Sequence, residues 1–213
     1  MDRRDCLKQL GGLALATLPG LTFAAPAFKA GEHCTLVQPP QPTPSDKVEV
    51  LEFFSYGCPH CHHLDGALAR WVNGLPKDVT FRRIPVTFNR EPWANMGKLY
   101  YTLEALGQLP RLHGAAFEAL HTQRVNLGNE STALEWLAKN GVDARKASET
   151  WRSFSVISAM QRAQQLSAAY RVDGVPMLAI GGRYVTTVSM AGDENALFAV
   201  ADSLIAQARG NKR

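Results

Sequence analysis

The stretch Val48-Glu49-Val50-Leu51-Glu52-Phe53-Phe54-Ser55-Tyr56-Gly57-Cys58-Pro59-His60-Cys61 decides the fold, because two periodicities meet in it. Its first half is nearly continuous in apolar and β-branched residues, which is typical of a strand buried on both faces in an α/β sheet. From Pro59 onward, apolar residues recur at helical spacing. The sequence therefore predicts a strand over 47–54, a helix over 59–73, and two cysteines at the change from strand to helix.

The flanking regions extend this pattern into an α/β fold. Residues 79–86 predict a second strand, which completes a βαβ unit. Further on, two short apolar runs at 177–180 and 183–188 lie on either side of Gly181-Gly182, which predicts a β-hairpin. Residues 194–207 predict a final amphipathic helix. The order of elements is therefore βαβ, an insertion, and then ββα.

The insertion, residues 89–170, shows only helical patterns. Helices are predicted over 110–122, 144–154 and 156–170, and Thr132 with Glu135 predicts a capping box for another helix that Asn140-Gly141 would close. Aromatic residues are spaced as core positions of this helical subdomain rather than as a cofactor site: Trp93, Tyr100, Trp136, Trp151 and Phe154.

The first 24 residues have the pattern of a secretory signal peptide. Arg3, Arg4 and Lys8 precede an apolar run over 10–18 that is too short to span a bilayer comfortably, and small residues follow up to a predicted cleavage site near Ala24. Export would remove Cys6 and leave three cysteines, Cys34, Cys58 and Cys61, in an oxidising compartment. Disulfide chemistry is therefore the default expectation.

The whole chain suits one globular domain with an insertion, since it has 213 residues, 46% of them hydrophobic and 20% charged. We predict a signal peptide over 1–24, a loop-like arm over 25–46, an α/β domain over 47–88 and 171–208, the helical subdomain over 89–170, and a flexible tail over 209–213. The net charge of +4 is small, and the sequence has no long run of basic residues, so nucleic acid is not expected as a partner.

The segment Cys58-Pro59-His60-Cys61 is the candidate reactive site. With Cys58 as the N-cap and Pro59 as the first helical residue, the Cys58 sulfur faces free backbone N–H groups and the positive end of the helix dipole. A His60 imidazolium would add positive charge, so the pKa of Cys58 should be lowered. Cys61, one turn later and pointing inward, would be the less reactive, resolving partner.

Two alternatives compete with this redox interpretation. A structural disulfide is one, although a bridge across only two residues ties no distant segments together. Metal binding is the other, because Cys58, His60, Cys61, His62 and His63 crowd five potential ligands together, but zinc sites draw a second ligand pair from elsewhere. His113 and His121 stand isolated in the sequence and are interpreted as ordinary polar positions on helices.

The Cys-Pro-His-Cys segment, the residues 51–57 before it, the helical insertion and Gly174-Val175-Pro176 together resemble the DsbA family, the periplasmic thiol:disulfide oxidoreductases of Gram-negative bacteria. The resemblance covers nearly all of the chain from about Cys34 to the last helix. It implies a thioredoxin-like fold with an inserted all-helical subdomain. A Cys-x-x-Cys motif alone would indicate only the broad thioredoxin superfamily.

The resemblance also implies roles for residues outside the motif. The peptide bond between Val175 and Pro176 would be cis and would lie beside the cysteines, with backbone available to an extended substrate segment, whereas X-Pro bonds in general favour trans. Glu52 would be a buried acid beneath the cysteines that relays or modulates protons, and Arg83 its basic partner. Taken alone, Glu52 could equally be a charge at a sheet edge.

The implied activity is donation of a Cys58–Cys61 disulfide to dithiols of newly exported proteins in the periplasm. The resemblance implies reoxidation by a DsbB-like membrane quinone reductase, no bound cofactor or metal besides the redox-active disulfide, and a monomer. Cys34 departs from the family pattern, which usually has an aromatic residue there. We interpret it as a partly covered free thiol in the arm, with an intermolecular bridge or a regulatory thiol as the alternatives.

Overall fold

The computed structural model describes residues 31–44 and 46–210 of the chain. The predicted signal peptide, the first part of the predicted arm and the last three residues lie outside the described residues. Within the described ranges, no helix combines the length and apolar character that spanning a membrane requires.

A mixed sheet forms the centre of the molecule, with the strand order β1-β5-β4-β2-β3. β2 pairs in parallel with β3, while the pairs β2–β4, β4–β5 and β5–β1 are antiparallel. Every residue of β2 is buried, as expected for a strand with neighbours on both edges and layers on both faces. The strands are β1 (Thr35–Leu36), β2 (Val48–Phe54), β3 (Val79–Pro85), β4 (Met177–Ile180) and β5 (Tyr184–Thr187).

Helices cover both faces of the sheet. α1 begins at Pro59 and ends before Gly74, as the sequence predicts. Five helices then follow β3 before the chain returns to β4. The helices are α1 (Pro59–Asn73), α2 (Glu91–Ala105), α3 (Leu109–His121), α4 (Glu130–Lys139), α5 (Ala144–Trp151), α6 (Phe154–Ala169), α7 (Val188–Ala191) and α8 (Glu194–Gly210).

Two hydrophobic cores lie on opposite faces of the sheet, because successive strand residues point to alternate sides. One core joins Val48 and Val50 of β2 to α1 and α8, and it contains Cys34. The other joins Leu51 and Phe53 to helices α2 to α6 and contains both Cys58 and Cys61. The cysteine pair therefore lies where the helical insertion meets the sheet.

The structure corrects two predictions, one about the N-terminal arm and one about the end of the last strand. The arm is not loop throughout, because Thr35 and Leu36 form the edge strand β1, which pairs with β5. The last strand ends at Thr187 rather than Val188, since the Thr187 side chain accepts a hydrogen bond from the Met190 amide and caps the short helix α7.

Helix boundaries supply further corrections. The N-cap of α4 is Asn129, three residues before the predicted cap, because the Asn129 side chain accepts a hydrogen bond from the Thr132 amide; the capping box assigned to Thr132 and Glu135 is wrong. α8 continues to Gly210, beyond the predicted start of a tail. Phe154 is 84% exposed at the start of α6, so its assignment to the core is also wrong.

Candidate active site around Cys58 and Cys61

The two cysteines lie at the end of β2, in the first turn of α1. Cys58 is the N-cap, with extended backbone (φ −97°, ψ 116°), and Pro59 occupies the first turn, where its missing N–H removes no helical hydrogen bond. Cys61 is fully buried and Cys58 is 7% exposed, whereas His60 is exposed. One helical turn therefore presents one sulfur near the surface and hides the other. Both are free thiols, so the structure describes the dithiol form.

A distant segment completes the surface around Cys58. The Cys58 thiol donates a hydrogen bond to the Val175 carbonyl oxygen at 3.3 Å, although 117 positions separate them in the chain. The Val175-Pro176 peptide bond is cis, as the family resemblance implies, although most X-Pro bonds are trans. The structure thus brings together the motif and the loop that precedes β4.

The two thiols have opposite acidities. The side-chain hydrogen bond from Cys61, the backbone N–H groups of Cys61 and His60 and the charge of His60 lower the pKa of Cys58 to about 6, although burial acts in the other direction. For Cys61, burial raises the pKa far above that of an ordinary cysteine, and the neighbouring Cys58 adds to this effect. At neutral pH Cys58 is therefore mainly the thiolate, which cannot donate to the Val175 carbonyl as the thiol does, whereas Cys61 keeps its proton.

Glu52 lies inside the molecule with Arg83 beside it. The Glu52 side chain is on the central strand β2 and is almost fully buried. The parallel register aligns it with Arg83 on β3, whose Nε donates to Glu52 Oε2 at 2.8 Å. Burial raises the pKa of Glu52 to about 7 against the opposing charge of Arg83, and the carboxylate of Asp65 contributes to the rise. This acid interacts electrostatically with Cys61.

Three further polar residues, which no local pattern in the sequence had indicated, extend this pair. Arg83 Nη2 also donates to Asp65 Oδ1 at 3.0 Å, and the same oxygen lies 3.2 Å from His113 Nε2. The other ring nitrogen of His113 lies 2.8 Å from the Tyr56 hydroxyl. His113 is buried within this network, so its interpretation as an isolated polar position is wrong.

His121 is not isolated either. Its Nε2 lies 2.7 Å from the Tyr56 carbonyl oxygen, and its ring stacks on that of His62 at 5.0 Å between centroids. His62 in turn contacts Glu118 at 3.1 Å. The spacing of His113, Phe117 and His121 at intervals of four places them on one face of α3, and this periodicity was the available signal.

In the part of the chain that the structure describes, no group of three or more His, Cys, Asp or Glu side chains is arranged to hold a metal ion.

Cys34 is 2% exposed in the other hydrophobic core, where burial raises the pKa of its thiol. It is a covered free cysteine on the other face of the sheet.

The family model of the DSBA-like thioredoxin domain matches residues 49–204 of the chain. The chain belongs to the DsbA family. Its fold is accordingly thioredoxin-like, with a mixed five-stranded sheet. The match includes the Cys-Pro-His-Cys segment and the loop at Val175.

Relatives in this DsbA family are similar along most of their length. The thiol:disulfide interchange protein DsbA of Bordetella parapertussis is 41% identical over 201 residues, which cover 92% of this chain and 95% of the relative. The protein of the same name from Pseudomonas aeruginosa is 36% identical over 198 residues, covering 92% and 93%.

Solved DsbA structures agree with the fold. The crystal structure of Pseudomonas aeruginosa DsbA has a TM-score of 0.83 at 34% identity and covers 86% of this chain and 96% of its own. The oxidoreductase DsbA from Xylella fastidiosa has a TM-score of 0.80 at 29% identity, covering 88% and 100%.

Proposed function

We propose that this protein is a periplasmic thiol:disulfide oxidoreductase that donates a Cys58–Cys61 disulfide to dithiols of newly exported polypeptides. The observation that carries the proposal is the unequal acidity of the two thiols, with the pKa of Cys58 lowered to about 6 and that of Cys61 raised by burial. A disulfide whose reduced form contains a well-stabilised thiolate is readily transferred to another dithiol, because the reduced state is favoured.

The first step is attack of a substrate thiolate on the Cys58 sulfur. A bond forms between the substrate sulfur and Cys58, the Cys58–Cys61 bond breaks, and Cys61 leaves with the electron pair. Since burial makes the Cys61 thiolate unfavourable, this sulfur takes up a proton as it leaves. Cys58 is the target because it is the sulfur near the surface.

The second step resolves the mixed disulfide. A second substrate thiolate attacks the substrate sulfur, the new substrate disulfide forms, and Cys58 leaves as a thiolate. The hydrogen bond from the Cys61 thiol, the helix N-terminus and His60 stabilise this leaving group. Across the two steps the substrate dithiol loses two protons and two electrons. One proton is balanced by the protonation of Cys61 and the other is released to solvent, while the two electrons reduce the Cys58–Cys61 disulfide.

The remaining site residues have supporting roles in this proposal. The backbone at Val175 and Pro176 pairs with the extended substrate segment beside Cys58. Pro59 begins the helix whose N-terminus faces the thiolate, and Glu52 with Arg83 modulates proton transfer to Cys61. The disulfide itself is the redox group, so no other cofactor or metal takes part.

The signal pattern of residues 1–24 supports a periplasmic location. There the protein would act as a monomer and be reoxidised by a DsbB-like membrane quinone reductase. Its substrates are exported chains with reduced cysteines.

The reduction potential of the Cys58–Cys61 pair, measured in glutathione buffers, tests the proposal. We expect a value well above thioredoxin's, which is about −270 mV. A potential near thioredoxin's would instead indicate a reductase. In the same assay, Cys58→Ser should abolish oxidation of a reduced model protein.

Cys34→Ala is the matched control for that experiment, because it removes a buried thiol from the other core. It should leave the potential unchanged. A potential that depends on Cys34 would contradict the assignment of the redox centre to Cys58 and Cys61.

A further inference from the structure

A continuous chain of hydrogen bonds connects the buried acid under the cysteines with helix α3. It runs from Glu52 to Arg83, from Arg83 to Asp65, from Asp65 to His113, and from His113 to Tyr56, with contacts of 2.8, 3.0, 3.2 and 2.8 Å. The five residues come from β2, β3, α1, α3 and the loop before α1. The tertiary structure therefore assembles the chain from segments far apart in sequence.

The partners of His113 fix the direction of these hydrogen bonds. Burial lowers the pKa of His113, although its hydrogen bond to Asp65 opposes this, so the ring is neutral at pH 7. Nε2–H then donates to the Asp65 carboxylate, and Nδ1 accepts from the Tyr56 hydroxyl, whose own pKa burial raises far beyond its ordinary value. Every group in the chain has a role that matches its protonation state.

Asp65 stays ionised within this arrangement. Burial acts to raise its pKa, but the hydrogen bond from His113 and the charge of Arg83 outweigh burial, and the net shift is downward. Its side chain is 18% exposed, whereas that of Glu52 is 2% exposed. Arg83 therefore bonds two carboxyl groups at once, one that is firmly ionised and one that is deeply buried.

The ionisable groups around Glu52 come from every neighbouring element. Arg83 faces it from β3, Asp65 and Cys61 from α1, Tyr56 from the loop before α1, and Tyr100 from α2. On the β4 side its register partner is the apolar Leu178. Arg83 is the one cation in this described set; its Nη2 donates to Asp65 rather than to Glu52, and the Asp65 carboxylate offsets the effect of the Arg83 charge on the Glu52 pKa.

We propose that Asp65, held in place by His113, is a positioning residue that keeps Arg83 divided between two carboxyl groups, so that Glu52 retains a proton for Cys61. The inference rests on the proposed function. When Cys61 leaves the disulfide with its electron pair, the Glu52 carboxyl proton moves to the sulfur and Glu52 becomes a carboxylate beside Arg83. A proton from solvent, where the substrate thiols release theirs, then restores the acid.

The decisive variant is Asp65→Asn, which removes the competing charge but keeps the shape of the side chain. The positive charge of Arg83 should then act on Glu52 without an opposing carboxylate, and the titration midpoint of the Glu52 carboxyl, measured by carbon NMR, should fall by about one pH unit. Because a proton donor works only below its pKa, the high-pH limb of the exchange rate should move to lower pH by a similar amount.

His113→Phe provides an independent arm, since it keeps an aromatic ring against Phe54 and Phe117 but removes both hydrogen bonds. Asp65 loses a donor, so its own titration midpoint should rise. The Glu52 midpoint should fall by less than in Asp65→Asn, because Asp65 is still ionised near neutral pH but is no longer held by His113. A fall as large as that of Asp65→Asn, or no change at all, would contradict the proposed role of His113.

Glu49→Gln is the matched control. Glu49 and Arg82 form a second carboxylate–guanidinium pair between β2 and β3, at 2.8 Å, and Glu49 is also buried. Glu49→Gln should change neither the titration midpoint of Glu52 nor the pH of the high-pH limb of the exchange rate. Equal shifts in both variants would show a general effect of charge and overturn the inference.

The two proposals fail in different ways. If the unmodified protein does not oxidise dithiols, the proposed function is wrong. If it does, and Asp65→Asn leaves both the Glu52 midpoint and the rate limb unchanged, the inference about Asp65 alone is wrong.

Discussion

Cys58 and Cys61 show how one helical turn can give the same side chain two chemistries. Cys58 lies at the N-terminus of α1, where unpaired N–H groups and the helix dipole favour negative charge. Cys61 lies three residues later in the hydrophobic core, where a thiolate has no comparable stabilisation. Position within the helix, rather than residue type, separates the attacked sulfur from the leaving sulfur.

At this residue scale, the causes of the lowered Cys58 pKa predict an order of effects. The hydrogen bond from Cys61 is the largest cause and the charge of the exposed His60 is a smaller one. Cys61→Ala should therefore raise the Cys58 midpoint from about 6 by more than His60→Leu does. Ultraviolet absorbance of the thiolate during a pH titration measures both shifts.

His63→Leu serves as the comparison for this titration. His63 is a neighbouring histidine whose side chain is 78% exposed and contacts Glu194 instead of the cysteines. It should leave the Cys58 midpoint in place. A larger shift from His60→Leu than from Cys61→Ala would contradict the assigned order of causes.

At the scale of elements, the N-terminal arm and the β4–β5 hairpin depend on each other. β1 pairs with β5, the Gln41 amide donates to the Gly182 carbonyl at 2.8 Å, and the Val37 amide donates to the Arg183 carbonyl at the same distance. Gly182 has φ +69°, and a Cβ atom there would collide with the backbone of Gln41. The turn thus requires glycine both for its conformation and for the close approach of the arm.

Gly182→Ala should therefore destabilise the protein by about 2–3 kcal/mol, because a left-handed residue and a backbone clash act together. Gly141→Ala is the matched comparison, since Gly141 has φ +76° but open space around its Cα. It should cost only about 1 kcal/mol. Denaturant unfolding of both variants measures the difference. Equal losses of unfolding free energy would show that the arm moves away from residue 182 without destabilising the protein.

At the scale of the whole molecule, the redox state and folding stability are linked through Cys58. A pKa lowered from 9.0 to about 6 means that folding stabilises the thiolate of the dithiol form. This contribution is complete above pH 9, declines below it, and is lost as pH falls through 6. The disulfide form has no such group, so its stability lacks this pH dependence.

We expect the unfolding free energy of the dithiol form, relative to the disulfide form, to fall by about 2–4 kcal/mol between pH 9 and pH 6. Below pH 6 the difference should level off. Cys61 acts in the opposite direction near pH 9, where its thiol begins to ionise in the unfolded chain but stays neutral in the folded chain, which keeps the net change below the maximum expected from Cys58 alone. Denaturant unfolding of both forms across the range measures the difference.

The Cys58→Ser variant provides the reference for that experiment, since its stability contains no Cys58 thiolate contribution. Its unfolding free energy should lack the decline assigned to the dithiol form. A decline of equal size in this variant would place the linkage at a group other than Cys58; Glu52 is not such a group, because its raised pKa makes stability rise as pH falls.

Local sequence was enough to predict most of the elements. The burial of β2, the bounds of α1 and the hairpin at Gly181-Gly182 follow from periodicity and turn chemistry, which act over a few residues. The cap of α4 was misplaced by three residues, because Asn129 and Thr132 are both good caps and only the packed helix selects one. The pairing of β1 depends on a strand some 150 positions away, so no local pattern indicates it.

The sequence by itself determined the Cys-Pro-His-Cys segment at a strand-to-helix change, and with it the expected difference between Cys58 and Cys61. Only the tertiary structure decided what surrounds the pair: Val175 at the Cys58 thiol, and Asp65 and His113 around Arg83. The physical reason is range. Helix-terminus effects arise within one turn, whereas a buried hydrogen-bond network joins side chains that are close only after the sheet and α3 have packed together.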